Sequence, residues 1–446
     1  MTRPLKYLND SERVEARRQQ TREHVRAHRA RKKHAPADST PSASSTRDGL
    51  GGRSEAATTS SSDSLMTTPR LSPPIDTIFG TPEERRSFHY FRQVAVHHLA
   101  GCIKTNFWLR LVPQAHHEEP AIRHCIAAFA SLHEGLAYNR ATEAPARAWT
   151  MFGLSQYCKA LKSLTDLETH SDQPKLDVVL ACCALFVCIE LLLGHSETAL
   201  MHIDRGIDIM NNVAEADKDK AFRGVPMSDL WHLMRRLDTQ AALWHTSRVP
   251  RLQEQWSMSS LIPKHFMDTE SALQPLCKMF HKLMRTTRTS SANRDTLGSV
   301  YPDDNIRLSQ LVDQYEVALN NSLDKGYLSD SSLSGVILLR VFVAWLRLTL
   351  YCDNAVSCAY QSQKIFAYVQ ILLDGADIAK SRAEMSKQWP PFTLDAGVLG
   401  PLCSVFTMSQ DDCIKAEALK LMAPCLAQEG FLHASVVLED FNKQWH

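Results

Sequence analysis

The sequence predicts an all-α protein: an irregular multi-helix domain over residues 81–446, preceded by a disordered basic N-terminal arm and linker. Three observations carry this. From Thr81 onward strand signals are scarce, while apolar residues recur at helical spacing in segment after segment. Residues 35–80 are Ser, Thr, Ala, Pro and Gly with little else. Residues 1–34 hold eleven Lys or Arg against four acids, a net of +7, whereas the remainder carries 39 against 45, a net of −6.

The arm comes first. DSERVEARRQQTREHVRAHRARKKH, at 10–34, reads as a helix that Asp10 or Ser11 can cap, with early acids and late bases suiting the helix dipole. Val14, Val25 and a few alanines make no stripe wide enough to bury, so the segment is expected to be disordered when free and ordered when bound. Arg18, Arg22, Arg26 and Arg29 would share one face, and like charges so stacked repel until a polyanion relieves them. Arg17, Arg18, Arg22, Arg26, Arg29, Arg31, Lys32 and Lys33 are therefore the candidate DNA-contacting or import residues. RARKKH fits a nuclear import signal, which makes an import receptor a second partner, and nuclear location follows. No leucine heptads follow the arm, which argues against a basic zipper. The linker at 35–80, with STPSASS and TTSSSDS, is given no structure and many phosphorylatable side chains.

Order begins at TPEE, where Thr81 suits the N-cap, Pro82 the first helical position and Glu84 the closing side of a capping box. Pro120 opens a clear helix whose Ile122, Cys125, Ile126, Phe129, Leu132 and Leu136 make one apolar face, with Glu118 and Glu119 at its positive end. Helices are predicted over 120–138, 147–165, 174–193, 196–213, 226–246, 304–321, 333–352, 356–377, 411–427 and 430–442. Breaks at Gly194–His195 and at Pro226 read as hairpin connections, with Gly194 as a helix stop and Ser196 as the next N-cap. Residues 281–300, HKLMRTTRTSSANRDTLGSV, read as a mobile surface loop. No fixed period emerges, so a regular repeat array is not supported.

Apolar residues make up 44% of the 446, enough for one large or two medium cores, and the formal net charge of +1 names no partner by itself. The twelve cysteines begin at Cys102 and include no CxxC, and the polar opening is not a signal peptide, so the thiols read as reduced, small core hydrophobes. The apolar runs Val178–Leu193 and Val336–Leu350 are interrupted by Glu190 and by Arg340 and Arg347, so they are read as buried core helices and no membrane partner is expected.

Chemistry-bearing patterns are thin. HHEEPAIRH lacks the His i, i+4 spacing of a helix-borne zinc site, so no metal is predicted. Gly194-His195-Ser196-Glu197-Thr198 lacks the closing Gly of a nucleophile elbow and follows a helical rather than a strand pattern. No phosphate-binding glycine loop precedes a helix, and no cofactor is predicted. An enzyme remains the rival in which His116, His117, His124, Glu118 and Glu134 converge on a polar pocket. A helical scaffold without DNA contact is the other rival.

FWLRLVPQAHHEEPAIRHCIAAFASLHEGL at 107–136 resembles the segment by which the fungal-specific transcription-factor domain is often recognised. LACCALFVCIELLLGHSETALMHIDRGIDIM at 180–210 and FTLDAGVLGPLCSVFTMSQDDCIKAEALKLM at 392–422 resemble later parts of the same domain, and TREHVRAHRARKKH resembles an N-terminal string of members without a zinc cluster. The resemblance covers most of 81–446 and is not a catalytic signature. It implies an all-helical regulatory domain, a nuclear role in transcription, and in some members control of gene clusters for specialised metabolism. In many such regulators a binuclear zinc cluster of six cysteines, opening with CxxC, reads DNA. Here no cysteine precedes Cys102. The expectation is therefore that the basic arm substitutes, that a DNA-binding partner protein is used, or that a coding segment upstream supplies the cluster. Homodimerisation and a small-molecule ligand are further expected roles of the helical body.

Overall fold

The computed structural model describes residues 80–139, 146–170, 175–212, 221–222, 225–245, 247–253, 262–292, 302–328, 333–350, 355–382, 392–425 and 428–445. The predicted arm and linker lie outside the described residues.

Order begins as the TPEE pattern requires. Helix α1 (Pro82–Tyr90) has Thr81 at its N-cap, Pro82 at its first position and a reciprocal capping box. Glu84 N–H donates to Thr81 Oγ1 at 3.2 Å, and Thr81 N–H donates to Glu84 Oε2 at 3.0 Å. A π-turn over Phe91–Ala95 carries the chain into α2 (Val96–Ala100). A second π-turn, Phe107–Leu111, leads into the one-turn α3 (Val112–Ala115). Helices α4 (Pro120–Asn139) and α5 (Ala146–His170) pack along each other. So do α6 (Leu176–Leu192) and α7 (Ser196–Asn212).

Helix α6 is apolar all round and buried from Val178 to Leu191, the pattern of a helix surrounded by others. Its one buried acid, Glu190, accepts a hydrogen bond from Tyr157 Oη at 2.5 Å and faces His195 Nδ1 at 2.9 Å, so both its oxygens have polar partners within the fold. The helix ends at Gly194, whose φ of 80° is left-handed and free of Cβ cost there. The next helix starts at Ser196 itself, so the cap position falls on His195, whose C=O receives Ala199 N–H at 3.0 Å. Ser196 is thus the first helical residue rather than the N-cap.

A two-residue antiparallel pair, β1 (Ala221–Phe222) with β2 (Val225–Pro226), precedes α8 (Met227–Trp244). Helices α9 (Thr269–Ala292), α10 (Pro302–Asp324), α11 (Leu333–Leu350) and α12 (Ala355–Arg382) follow. The chain closes with β3 (Phe392–Thr393), α13 (Leu399–Met408), α14 (Asp412–Met422), β4 (Gln428–Glu429), β5 (Leu432–His433) and α15 (Ala434–Trp445). In the small sheet β3 pairs in parallel with β4, and β4 in antiparallel with β5.

The predicted loop at 281–300 is corrected over its described part: residues 281–292 are the end of α9. Leu273, Leu276, Phe280, Leu283 and Met284 recur at helical spacing and are buried. Thr286 and Thr287 return their hydroxyls to the carbonyls of Lys282 and Leu283, so this polar run feeds the helix's own backbone. α11 is long and apolar enough to cross a membrane, but 67% of it is buried inside the fold.

Two hydrophobic clusters result. One gathers α1 to α8 with Phe392, Leu394 and Phe431. The other gathers α9 to α15 with Ile103. Helix α8 serves both, because Leu230, Leu233, Met234 and Leu237 face the first while Leu243 packs on the second. The polar residues between these faces, Arg235, Arg236, Asp238 and Thr239, are consequently buried rather than solvated.

Candidate functional site

Between the two clusters lies a cavity of about 380 Å³. Its wall is built from α2 and the following loop, α8, α9, α11, α12, the 393–398 segment and Glu429. Most of it is apolar. Phe280, Phe342 and Trp345 form an aromatic wall, with ring centroids 4.8 Å apart for Phe280–Trp345 and 6.2 Å for Phe342–Trp345. Trp345 is fixed by its Nε1–H, which donates to Ser404 Oγ at 2.8 Å.

The polar part of the wall centres on a buried ion pair. Arg236 Nε donates to Asp395 Oδ1 at 2.8 Å, with side chains 5% and 16% exposed. Arg236 Nη2 and Asp395 Oδ2 are shielded from water and have no hydrogen-bond partner among the described residues. Burial pushes the thiols of Cys102 and Cys277 up to about 11, so both lining cysteines stay protonated and poorly nucleophilic.

Glu429 holds the cavity's far edge together. One oxygen accepts from Gly397 N–H and Leu399 N–H, both at 2.9 Å, and the other from Val398 N–H at 3.1 Å. Burial raises its carboxyl to about 7, against the opposing pull of those three N–H groups. With both oxygens occupied it is a clasp between β4 and the start of α13. A Cβ at Gly397 would lie 2.5 Å from Glu429 Oε1 and 2.7 Å from its Cδ. Gly397→Ala is therefore expected to displace the carboxylate and cost about 1–3 kcal/mol, the penalty of buried donors left unpaired. Gly375→Ala in α12 meets nothing within 4 Å; it should gain about 0.5–1 kcal/mol from helix propensity. Urea denaturation of the two variants reads the contrast, and equal midpoints would show that the clasp is idle.

The five residues of the enzyme rival do not line this cavity. His116 is fully buried, stacked on Phe88 at 3.6 Å, with its Nδ1 2.6 Å from Pro113 O. His117 is exposed and leans on His116 at 3.8 Å. His124 Nδ1 meets Gln156 Oε1 at 2.7 Å, while Glu134 pairs with Arg86 at 2.6 Å. Glu118 is exposed. They are spread along the α1–α4 contact rather than converging on one pocket. Among the described residues no group of three or more His, Cys, Asp or Glu is placed to hold a metal. The eight arm residues lie outside the described residues. Sequence reading missed Arg236, Asp395 and Glu429 because burial of a polar helix face is decided by what packs over it, which a single helix does not show.

Residues 86–244 match the family model of the fungal specific transcription factor domain. The matched stretch holds most of the α1–α8 cluster and supplies the α2, 101–103 and α8 parts of the cavity wall. The chain is 29% identical over 141 residues to an aspercryptin biosynthesis cluster-specific transcription regulator of Emericella nidulans, covering 31% of this chain and 22% of that one. It is 31% identical over 108 residues to a transcription regulator of Purpureocillium lilacinum, covering 23% of this chain and 26% of that one. The chain thus spans about a quarter of the length of these curated relatives. No solved structure matches it. The likeness to the fungal specific transcription factor domain is thus carried by the segment at 86–244.

Proposed function

We propose that this chain is a nuclear, non-enzymatic transcription regulator of a gene cluster for specialised metabolism. The observation that carries the reading is the family match at 86–244, joined by two relatives that are transcription regulators, one of them cluster-specific. The organisation proposed is a basic arm at 1–34, a linker at 35–80 and a helical body at 81–446. Arg17, Arg18, Arg22, Arg26, Arg29, Arg31, Lys32 and Lys33 engage an import receptor and then DNA phosphates. Phosphate contacts position a protein without reading bases, so sequence choice comes from a DNA-binding partner or a second copy held by the helical body.

The test is chromatin occupancy of the tagged full-length chain beside a version lacking residues 1–34 and supplied with a separate import signal. Discrete sites lost with the arm are the expected result. In vitro, eight phosphate contacts give a slope of log K against log salt of about −7. Sites retained by the truncation would place recruitment in the helical body. No sites for either chain would sink the regulator reading and favour the helical scaffold.

A further inference from the structure

Helix α11 packs against both α10 and α12. Ile365, Phe366, Val369, Leu372 and Leu373 fix the inner side of α12 in the second hydrophobic cluster. Its outer side, with Tyr360, Gln363, Ala367, Gln370 and Ile371, is exposed. An ordinary solvated helix face carries charged residues opposite its apolar stripe. Over residues 355–373 the single charged side chain is Lys364. At the chain's own charged fraction of 22%, a stretch of that length would hold about four. Charge depletion around an exposed aromatic is the composition of an interface centre rather than of open surface. The spacing is that of a helix seam, because Tyr360, Gln363, Ala367, Gln370 and Asp374 recur at three and four residues in turn.

Beside this seam a crevice of about 30 Å³ opens between α10, α11 and α12. At about 10–15 Å³ for each water-sized group, it has room for the two oxygens of one carboxylate. Three cations line it. Arg347 is already paired, with Asp313 at 2.7 Å and Glu316 at 2.5 Å. Arg340 donates to the neutral Asn320 Oδ1 at 3.1 Å, and Lys364 Nζ lies 4.7 Å from the centroid of the Tyr360 ring. Neither has a carboxylate partner among the described residues. Two uncompensated positive charges thus border an uncharged seam. A second copy of the chain answers them poorly. Antiparallel pairing of α12 with itself, Tyr360 across from Gln370, sets the two Lys364 side chains against each other near the two-fold axis. Parallel pairing leaves the nearest acid of the copied helix, Asp374, ten residues or about 15 Å from Lys364.

We propose that the outer face of α12 is a docking surface for an amphipathic helix of a partner protein, whose apolar stripe lies along Tyr360, Gln363, Ala367 and Gln370 and whose acidic flank meets Lys364 and Arg340. The apolar stripe supplies buried area and the acids fix its register and orientation, the division of labour seen when a helix is laid on a surface groove. Docking is a property of the helical body and does not rest on the regulator reading; a failed occupancy experiment would leave it standing, and a failed titration would leave the arm's role standing.

The experiment is a fluorescence-anisotropy titration of the purified, nuclease-treated full-length chain with two labelled three-heptad helical peptides. Both carry Leu at the a and d positions; one has Glu and the other Lys at e and g. Saturable one-to-one binding of the Glu peptide is expected, at least tenfold tighter than that of the Lys peptide. Lys364→Glu should weaken the Glu peptide at least fivefold. Ala367→Asp, which puts a charge in the middle of the seam, should weaken it at least tenfold. Lys420→Glu on α14 makes the same change in net charge at an exposed site away from α12 and should leave the affinity within twofold. Both α12 positions lie at the surface, circular dichroism shows that each variant is folded, and either one alone is decisive if the other is not. The proposal is overturned by no saturable binding, or by a Glu peptide that Lys364→Glu weakens no more than Lys420→Glu does, the result expected if the peptide binds the basic arm instead. It is also overturned if sedimentation velocity finds a dimer of the wild-type chain that Ala367→Asp splits, since a second copy would then occupy the face.

Discussion

Replacing Asp238 by Ala is expected to cost about 3–5 kcal/mol, the loss seen when one partner of a buried charge pair is removed. Asp238 is fully buried on α8. Its Oδ1 accepts from Arg248 Nη2 at 3.0 Å, and its Oδ2 accepts from Leu252 N–H at 2.7 Å and faces His281 Nε2 at 3.4 Å. One carboxylate thus ties α8 to the 248–252 segment and to α9. Arg248 is only 12% exposed and would keep Asp204, at 2.7 Å, as its remaining counter-charge. The buried N–H of Leu252 would lose its acceptor altogether. A domain holds about 5–15 kcal/mol in total, so the variant should lie near the edge of folding. Asp208→Ala is the control, since its pair with Arg251 is 43–44% exposed on both sides; it should cost no more than about 1 kcal/mol. Urea denaturation of both reads the difference. Equal midpoints would mean that the network contributes no more than a surface pair. Arg236 sits two residues before Asp238 on the same helix, so the network that holds α8 in place also sets the cavity's polar wall.

The sequence made the helices legible where local chemistry and core packing agree. Thr81, Pro82 and Glu84 announced α1, and each occupies the position its side chain suits. Gly194 stopped α6 because a left-handed residue ends a helix wherever the chain goes next. The same rules failed at α9. Pro275 and the run from Thr286 to Ser291 carry poor helix propensity, and tertiary burial of Leu276, Phe280 and Leu283 overrides it. The cavity was not legible at all. Arg236 comes from α8, Asp395 follows β3 at a separation of 159 residues, and Trp345 lies on α11. No periodicity within one segment reports which segments meet. The family resemblance was read from strings at 107–136 and 180–210, which fall inside the matched stretch; 392–422 lies beyond it and supplies Asp395, Gly397 and Val398 to the cavity wall.

Acid is expected to destabilise the fold through His116, and a phenylalanine at that position should relieve it. His116 is fully buried against Phe88, and its Nε2 has no partner among the described residues. Burial pushes its pKa down to about 3; the bond to Pro113 O opposes this, while His117, Arg123 and Arg92 add positive charge nearby. The sign follows from linkage. The ring is neutral in the folded chain at pH values where the unfolded chain, titrating near 6.5, takes up a proton, so stability present above 6.5 is lost as pH falls toward 3. The loss is about 1.4 kcal/mol per pH unit below that point, or about 2 kcal/mol at pH 5. His232, also pushed down to about 3 by burial, acts in the same direction. Glu429 acts oppositely between about 7 and 4.5, because its raised carboxyl binds a proton in the folded chain first. Comparing His116→Phe with wild type at each pH cancels both of these. The variant keeps the stack on Phe88 and gives up the bond to Pro113 O, which costs about 1 kcal/mol at pH 7.5. At pH 5 it should instead be about 1 kcal/mol more stable than wild type, with the curves crossing near pH 6. Denaturation midpoints across that range decide it: parallel curves would mean that His116 takes up a proton as readily in the folded chain as in the unfolded one, and that its environment solvates the charge.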